Sequence, residues 1–248
     1  AQEGNWDDID LMVRAFQEAT QALRYAEVPV IVAPAGLTIG GGCEIALHGD
    51  RLQAAAESYI GLVEAGVGLI PAGGGTKEML VRSVSERPGA NADLLPFVQR
   101  AFETIGFAKV STSALDARHL GFLTVADRVT MNRDRLMSDA KALALERARD
   151  GYQRPVRQMI PVGGDAVLAA LKLGIHLAWR GGRISDHDAT IARALALVMA
   201  GGALPQATMV SEQHVLDLER EAFLKLCGER KTLERIQYTL KTGKTLRN

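Results

Sequence analysis

Short β-branched runs bounded by glycine fill the first half of the chain, and longer helical periodicities fill the second. Near the start, Ile9, Met12, Phe16, Ala19 and Leu23 recur at spacings of three and four, which predicts an amphipathic helix opened by Asp7 or Asp8. Val30-Ile31-Val32 predicts a buried strand. It leads into Gly40-Gly41-Gly42, where the missing Cβ atoms let a ligand atom approach the backbone. A helix beginning near Gly41 points its unpaired N–H groups and positive dipole end at that elbow, which favours an oxyanion there. A second apolar run from Ser58 carries one embedded carboxylate, Glu64, and ends in Gly73-Gly74-Gly75 at the mouth of another helix.

Ser113 with Asp116 predicts a capping box on a short helix that stops at Gly121. From about Arg133 the pattern is helical throughout. One run spans Asp134 to Arg149, and a second spans Ala166 to Trp179, entered at Asp165 and stopped at Gly181-Gly182. A third is capped by Ser185 with Asp188 and stops at Gly201-Gly202; a fourth runs from Ser211 to Gly228, and a fifth from about Thr232 to Gly243. The expected division is therefore an α/β part over 1–130 and a helical region over 131–248.

Composition narrows the classes of function. Lys plus Arg and Asp plus Glu stand at 29 each, so net charge steers the chain toward neither nucleic acid nor membrane. Charges interrupt the Ala/Leu-rich stretches before they reach spanning length. Cys43 and Cys227 have no metal-ligand spacing and suggest a reducing, cytoplasmic setting. Asp186-His187-Asp188 reads as a helix start rather than a metal site, and no metal is expected. His48, His119, His176 and His214 are expected to pack or to face solvent.

Two nucleotide readings of the glycines fail. Gly40-Gly41-Gly42 is followed by Cys43-Glu44-Ile45 rather than completing Gly-x-Gly-x-x-Gly, and an acid inside the helix start repels pyrophosphate. Gly73-Gly74-Gly75-Thr76-Lys77 lacks the Gly-Lys-Ser/Thr order of a phosphate loop. Taken singly, Glu44 reads as a helix-turn residue and Glu64 as a solvated strand end.

Taken together, Ile39-Gly40-Gly41-Gly42-Cys43-Glu44, Glu64 twenty positions later, and Pro71-Ala72-Gly73-Gly74-Gly75-Thr76 resemble the crotonase (enoyl-CoA hydratase/isomerase) superfamily. The segment 111–124 is similar to a helix-and-turn segment of the same family. The resemblance implies an α/β fold: the C-terminal portion of a spiral of ββα units, followed here by an extended all-helical region. It implies that Gly41 donates an N–H to a thioester oxygen and that Glu44 and Glu64 handle water and the α-carbon proton. Leu37, Gly40, Gly41 and Val63 would then line the substrate, an acyl-CoA thioester. With both acids present, syn hydration of a trans-2-enoyl-CoA is expected rather than the isomerase chemistry of members that keep one acid. Relative to the family, the chain lacks the opening strands and the loop giving a second oxyanion N–H, so the segment by itself is expected to be weak or inactive. The stretches 1–6 and 234–248 resemble fused bacterial proteins with an N-terminal 3-hydroxyacyl-CoA dehydrogenase domain. No cofactor is expected in this segment; NAD would bind that other domain. A homo-oligomer formed through the C-terminal helices, or a non-catalytic scaffold of the dehydrogenase, is the remaining alternative. Lys231, Lys241, Lys244 and Arg247 read as a solvated tail rather than as contacts to a CoA phosphate.

Overall fold

A computed structural model of the chain describes residues 4–87, 89 and 92–248. Residues 1–3, part of the stretch likened to a fused protein, lie outside the described residues.

Helix α1 (Trp6–Arg24) leads into β1 (Ile31–Val32), β2 (Gly36–Ile39) and α2 (Gly41–Leu47). The pattern repeats in β3 (Arg51–Ala55), β4 (Ser58–Gly61), a 3-10 turn over Glu64–Val67, and α3 (Gly75–Ser85). After α4 (Leu95–Gly106) and α5 (Ala114–His119), β5 (Arg128–Thr130) follows. The strands of this part pair in parallel, with one isolated antiparallel bridge at Gly61↔Val110: β3 lies between β1 and β5, while β2 pairs with β4 in the register Gly36↔Ser58 to Ile39↔Gly61. The first strands of successive units thus stack in one sheet and the second strands in another, giving the expected spiral of ββα units.

The remaining chain forms a 3-10 turn (Arg133–Arg135), α6 (Leu136–Arg149), α7 (Gly164–Arg180), α8 (Asp186–Met199), α9 (Glu212–Cys227) and α10 (Arg230–Thr242). It is helical except for an antiparallel ribbon of β6 (Ile160–Val162) and β7 (Thr208–Val210), which the helical periodicity did not foretell. Helix α3 lies at the centre, packed by α2, α4, α8 and α9, and one buried apolar cluster draws on both halves of the chain.

Several details depart from expectation. The buried face of α1 is Val13, Gln17, Thr20 and Gln21, whereas Met12 of the apolar stripe stands 58% exposed. The helix is rotated because Gln17 and Thr20 bond to carbonyl oxygens of the 72–73 loop, which outweighs the burial of one thioether. The α6 run begins as a 3-10 turn, so its α-helical part starts at Leu136, two residues after Asp134. Ser113 accepts from the Asp116 N–H, but the Asp116 carboxylate turns to Thr112 instead of closing the box. The Ser185/Asp188 box is reciprocal, at 3.1 and 3.0 Å.

Asp186 accepts the Trp179 indole N–H, His187 meets the Thr232 hydroxyl, and Asp188 pairs with Arg235 and Arg247. Among the described residues, no cluster of His, Cys, Asp or Glu is placed to hold a metal ion, and no helix is long and apolar enough to cross a membrane. Cys43 and Cys227 are free thiols, both buried.

Candidate active site

The site begins where β2 turns into α2. Gly40 adopts φ 56° and ψ −130°, a conformation open to glycine and costly for other residues. Its N–H bonds the Gly61 carbonyl of β4 at 2.9 Å, and its own carbonyl takes the Glu44 N–H at 3.0 Å as the first bond of α2. The Gly41 and Gly42 N–H groups therefore occupy the free first turn and find no acceptor among the described residues.

Glu44, one turn along, is 3% exposed. Its Oε1 accepts the N–H groups of Gly73 and Gly75, both at 2.8 Å, so the acid of one helix is clamped to the N-terminal loop of the next. Among the described residues, nothing hydrogen-bonds its Oε2. The loop admits no side chains: a Cβ on Gly73 would lie 2.2 Å from the Phe16 ring, and one on Gly75 would lie 2.7 Å from Glu44 Oε1.

Glu64 opens the 3-10 turn and reaches the elbow at Gly40. Its Oε1 lies 3.3 Å from where a Gly40 Cβ would stand, and its Oε2 is shielded from water without a hydrogen-bond partner among the described residues. Burial pushes the Glu44 carboxyl up to about 7 against the pull of its two glycine N–H bonds. Burial first, and the Glu44 charge second, push Glu64 up to about 8. Near neutrality the pair therefore holds about one proton between the two acids.

The structure thus brings together Gly40, Gly41, Glu44, Val63 and Glu64, with Val63 Cγ2 placed 3.9 Å from a Gly40 Cβ position. Leu37 stands 75% exposed on β2 opposite Tyr59, forming an apolar rim with Ile39 and Ile45 rather than a buried wall. A cavity of about 580 Å³ lies apart from the site, lined by Arg24, Tyr25, Arg87, Met159 and Glu212 and by none of these site residues.

Sequence reasoning missed the residues that brace the site. Thr20 donates to Gly73 O at 2.7 Å, and Gln17 donates to Ala72 O at 2.9 Å. Thr232 of α10 donates to Gly68 O at 2.9 Å, at the end of the Glu64 turn, and the fully buried Arg235 reaches Ala65 O. Glu219 of α9 accepts from Gly74 and Lys77. Its signal was present in the sequence as a carboxylate inside the apolar stripe Val215, Leu216, Ala222 and Leu226.

Next to this site lies a second set of buried charges. The Lys77 ammonium, fully buried, meets Glu78 at 2.5 Å and Glu212 at 3.3 Å. Arg24 and Arg82 stand 3.9 and 3.8 Å from Glu78. Although burial alone would raise it, the surrounding cations, Lys77 foremost, hold the Glu78 carboxyl far below the usual range. His48 joins the two sets, its Nδ1 2.7 Å from Glu44 O and its Nε2 3.8 Å from Glu78, and burial lowers it to about 4.

The family model for enoyl-CoA hydratase/isomerase matches residues 1–95. These residues are a segment of that family. The crotonase segment and all that follows it align with a Bacillus subtilis protein named "Probable 3-hydroxyacyl-CoA dehydrogenase", 44% identical over 100% of this chain and 31% of the relative. A Rickettsia felis protein named "Putative fatty acid oxidation complex trifunctional enzyme" is 27% identical over 97% of this chain and 30% of its own length. The chain therefore spans about a third of the length of these relatives. In fold, it matches an enoyl-CoA hydratase from Rhodobacter sphaeroides with TM-score 0.62 at 18% identity, over 99% of this chain and 71% of the other.

Proposed function

We propose that this chain supplies the acid pair of an enoyl-CoA hydratase, adding water in the syn sense across the double bond of a trans-2-enoyl-CoA. The observation that carries the reading is the pairing of Glu44 and Glu64, two shielded carboxyls with proton affinities near neutrality, beside the glycine elbow. Hydration passes through an enolate-like species whose charge gathers on the thioester oxygen. The free Gly41 N–H at the start of α2 suits that charge, and one such donor contributes roughly 3–4 kcal/mol to the barrier in comparable sites. One ionised acid then polarises water while the protonated partner delivers a proton to the α-carbon; the family pattern suggests Glu44 for water and Glu64 for carbon. Leu37 and Val63 would border the acyl-CoA beside Gly40.

The names of the relatives support a larger parent that also oxidises 3-hydroxyacyl-CoA. NAD would belong to another part of that parent, since the buried Glu44 and Glu219 carboxylates already occupy the N–H groups at the mouth of α3. The free buried thiols fit a reducing cytoplasm.

In the full-length natural protein, Glu44→Gln and Glu64→Gln should each lower crotonyl-CoA hydration by about 10²–10⁴-fold, followed by loss of enoyl absorbance, with acyl-CoA affinity largely kept. Unchanged turnover in both variants would overturn the reading.

A further inference from the structure

Helix α9 reaches the acid pair through one fully buried side chain. Glu219 places Oε1 on the Gly74 N–H at 2.5 Å and Oε2 on the Lys77 N–H at 3.0 Å. Glu44 takes the N–H groups of Gly73 and Gly75, on either side of Gly74. Two carboxylates, from helices far apart in the chain, thus share one short run of peptide donors. Gln17 ties them together, donating to Ala72 O and Leu216 O at 2.9 Å and reaching Glu219 Oε1 at 3.4 Å.

We propose that Glu219 is a positioning residue for Glu44: it holds the 73–77 loop so that two glycine amides fix Glu44 Oε1 and leave Oε2 for the reaction. The inference rests on the hydratase reading of Glu44. A simple helix cap would need the Gly74 and Lys77 contacts alone. The alternation of donors means that movement of either acid displaces the peptides bonded to the other, since neighbouring amides share rigid peptide planes. Charge acts alongside geometry. The charged groups bearing on the Glu219 carboxylate are Glu44 from α2, which raises its proton affinity after burial has done so, and Lys77 from α3, which lowers it; α1 contributes the neutral Gln17. Glu44 acts in turn on Glu64. The Gly73 and Gly75 N–H bonds hold the proton affinity of Glu44 down against burial, so loosening the 73–77 loop should make Glu44 ionise at higher pH.

The test is Glu219→Gln in the full-length natural protein. Gln keeps the shape but turns an NH2 group toward one backbone donor, so the loop loses one anchor. For crotonyl-CoA hydration, kcat should fall about tenfold or more with KM within about twofold, and the acid limb of the kcat profile should move up by about half a pH unit. Independently of activity, infrared titration of the Glu44 carboxyl, identified as the band missing from Glu44→Gln, should show the same upward movement. A wild-type kcat with an unmoved Glu44 band would overturn the proposal, as would a change confined to KM. Wild-type protein that fails to hydrate, while Glu219→Gln still shifts the Glu44 band, would instead sink the hydratase reading and leave the coupling standing. Should Glu219→Gln not fold, Glu219→Asp retains the carboxyl group and withdraws its oxygens by one methylene. It is expected to lower kcat about threefold or more at constant KM, and wild-type kcat would overturn the proposal.

Discussion

Glu64 and Glu78 are both glutamates shielded by the same fold, yet their proton affinities move in opposite directions. Glu78 has the Lys77 ammonium at 2.5 Å and two guanidiniums just beyond, and remains ionised far into acid. Among the described residues, Glu64 is in no ion pair; its neighbour of consequence is another acid, Glu44. Burial costs both residues, and only the compensated one can be explained by stability. An uncompensated pair is the arrangement expected where a proton must be exchanged near neutral pH. His48 touches both regions, so the contrast arises within one packed unit.

The sharpest way to break the comparison is to remove the compensation. Glu78→Gln leaves Lys77 with Glu212 alone at 3.3 Å and leaves Arg24 and Arg82 without their shared carboxylate. A loss of about 3–5 kcal/mol is expected in urea unfolding at neutral pH. Because the folded-state affinity of Glu78 is depressed, its contribution is present above the ordinary carboxylate pKa and fades as pH falls below it, so wild type and variant should converge in acid. A loss that stays constant with pH would mean that shape, rather than charge, holds the cluster.

How much of this was legible in the sequence follows the same division. Gly40 to Glu44 and Glu64 to Gly75 are contiguous stretches, and their strand, elbow and helix order could be read directly because the chemistry lies along the chain. Lys77, Glu212 and Glu219 could not be placed that way. Lys77 and Glu212 read locally as exposed helix residues and Glu219 only as a carboxylate within an apolar stripe, and the packing of α9 against α3 encloses all three. The rotation of α1 was hidden for a related reason: polar Gln17 and Thr20 face inward because loop carbonyls await them, which a hydrophobic stripe cannot reveal. The Ser185/Asp188 box was legible because its partners are three residues apart.

A smaller effect of opposite sign should appear at the uncompensated acid. Between the ordinary carboxylate pKa and about 8, folded Glu64 holds a proton that the unfolded chain releases, so stability falls as pH rises through that window. Glu64→Gln removes the penalty. The variant should match wild type near pH 5 and exceed it by roughly 1–3 kcal/mol near pH 8 in urea unfolding, while hydration is lost. Destabilisation at pH 8 would show that Glu64 is held by contacts rather than strained by burial.

The smallest effect isolates what burial adds. Arg128 and Glu146 form a bidentate pair at 2.8 and 2.6 Å, good geometry by any standard, but their side chains are 52% and 45% exposed. Water screens both ions before they meet, so the pair gains little that hydration did not already supply. A double-mutant cycle of Arg128→Ala and Glu146→Ala should therefore give a coupling far below the loss at Glu78, reduced further by salt. A coupling as large as the loss at Glu78 would mean that hydrogen-bond geometry, rather than exclusion of water, governs the charged groups of this protein. The opposite shifts of Glu64 and Glu78 would then require a different cause.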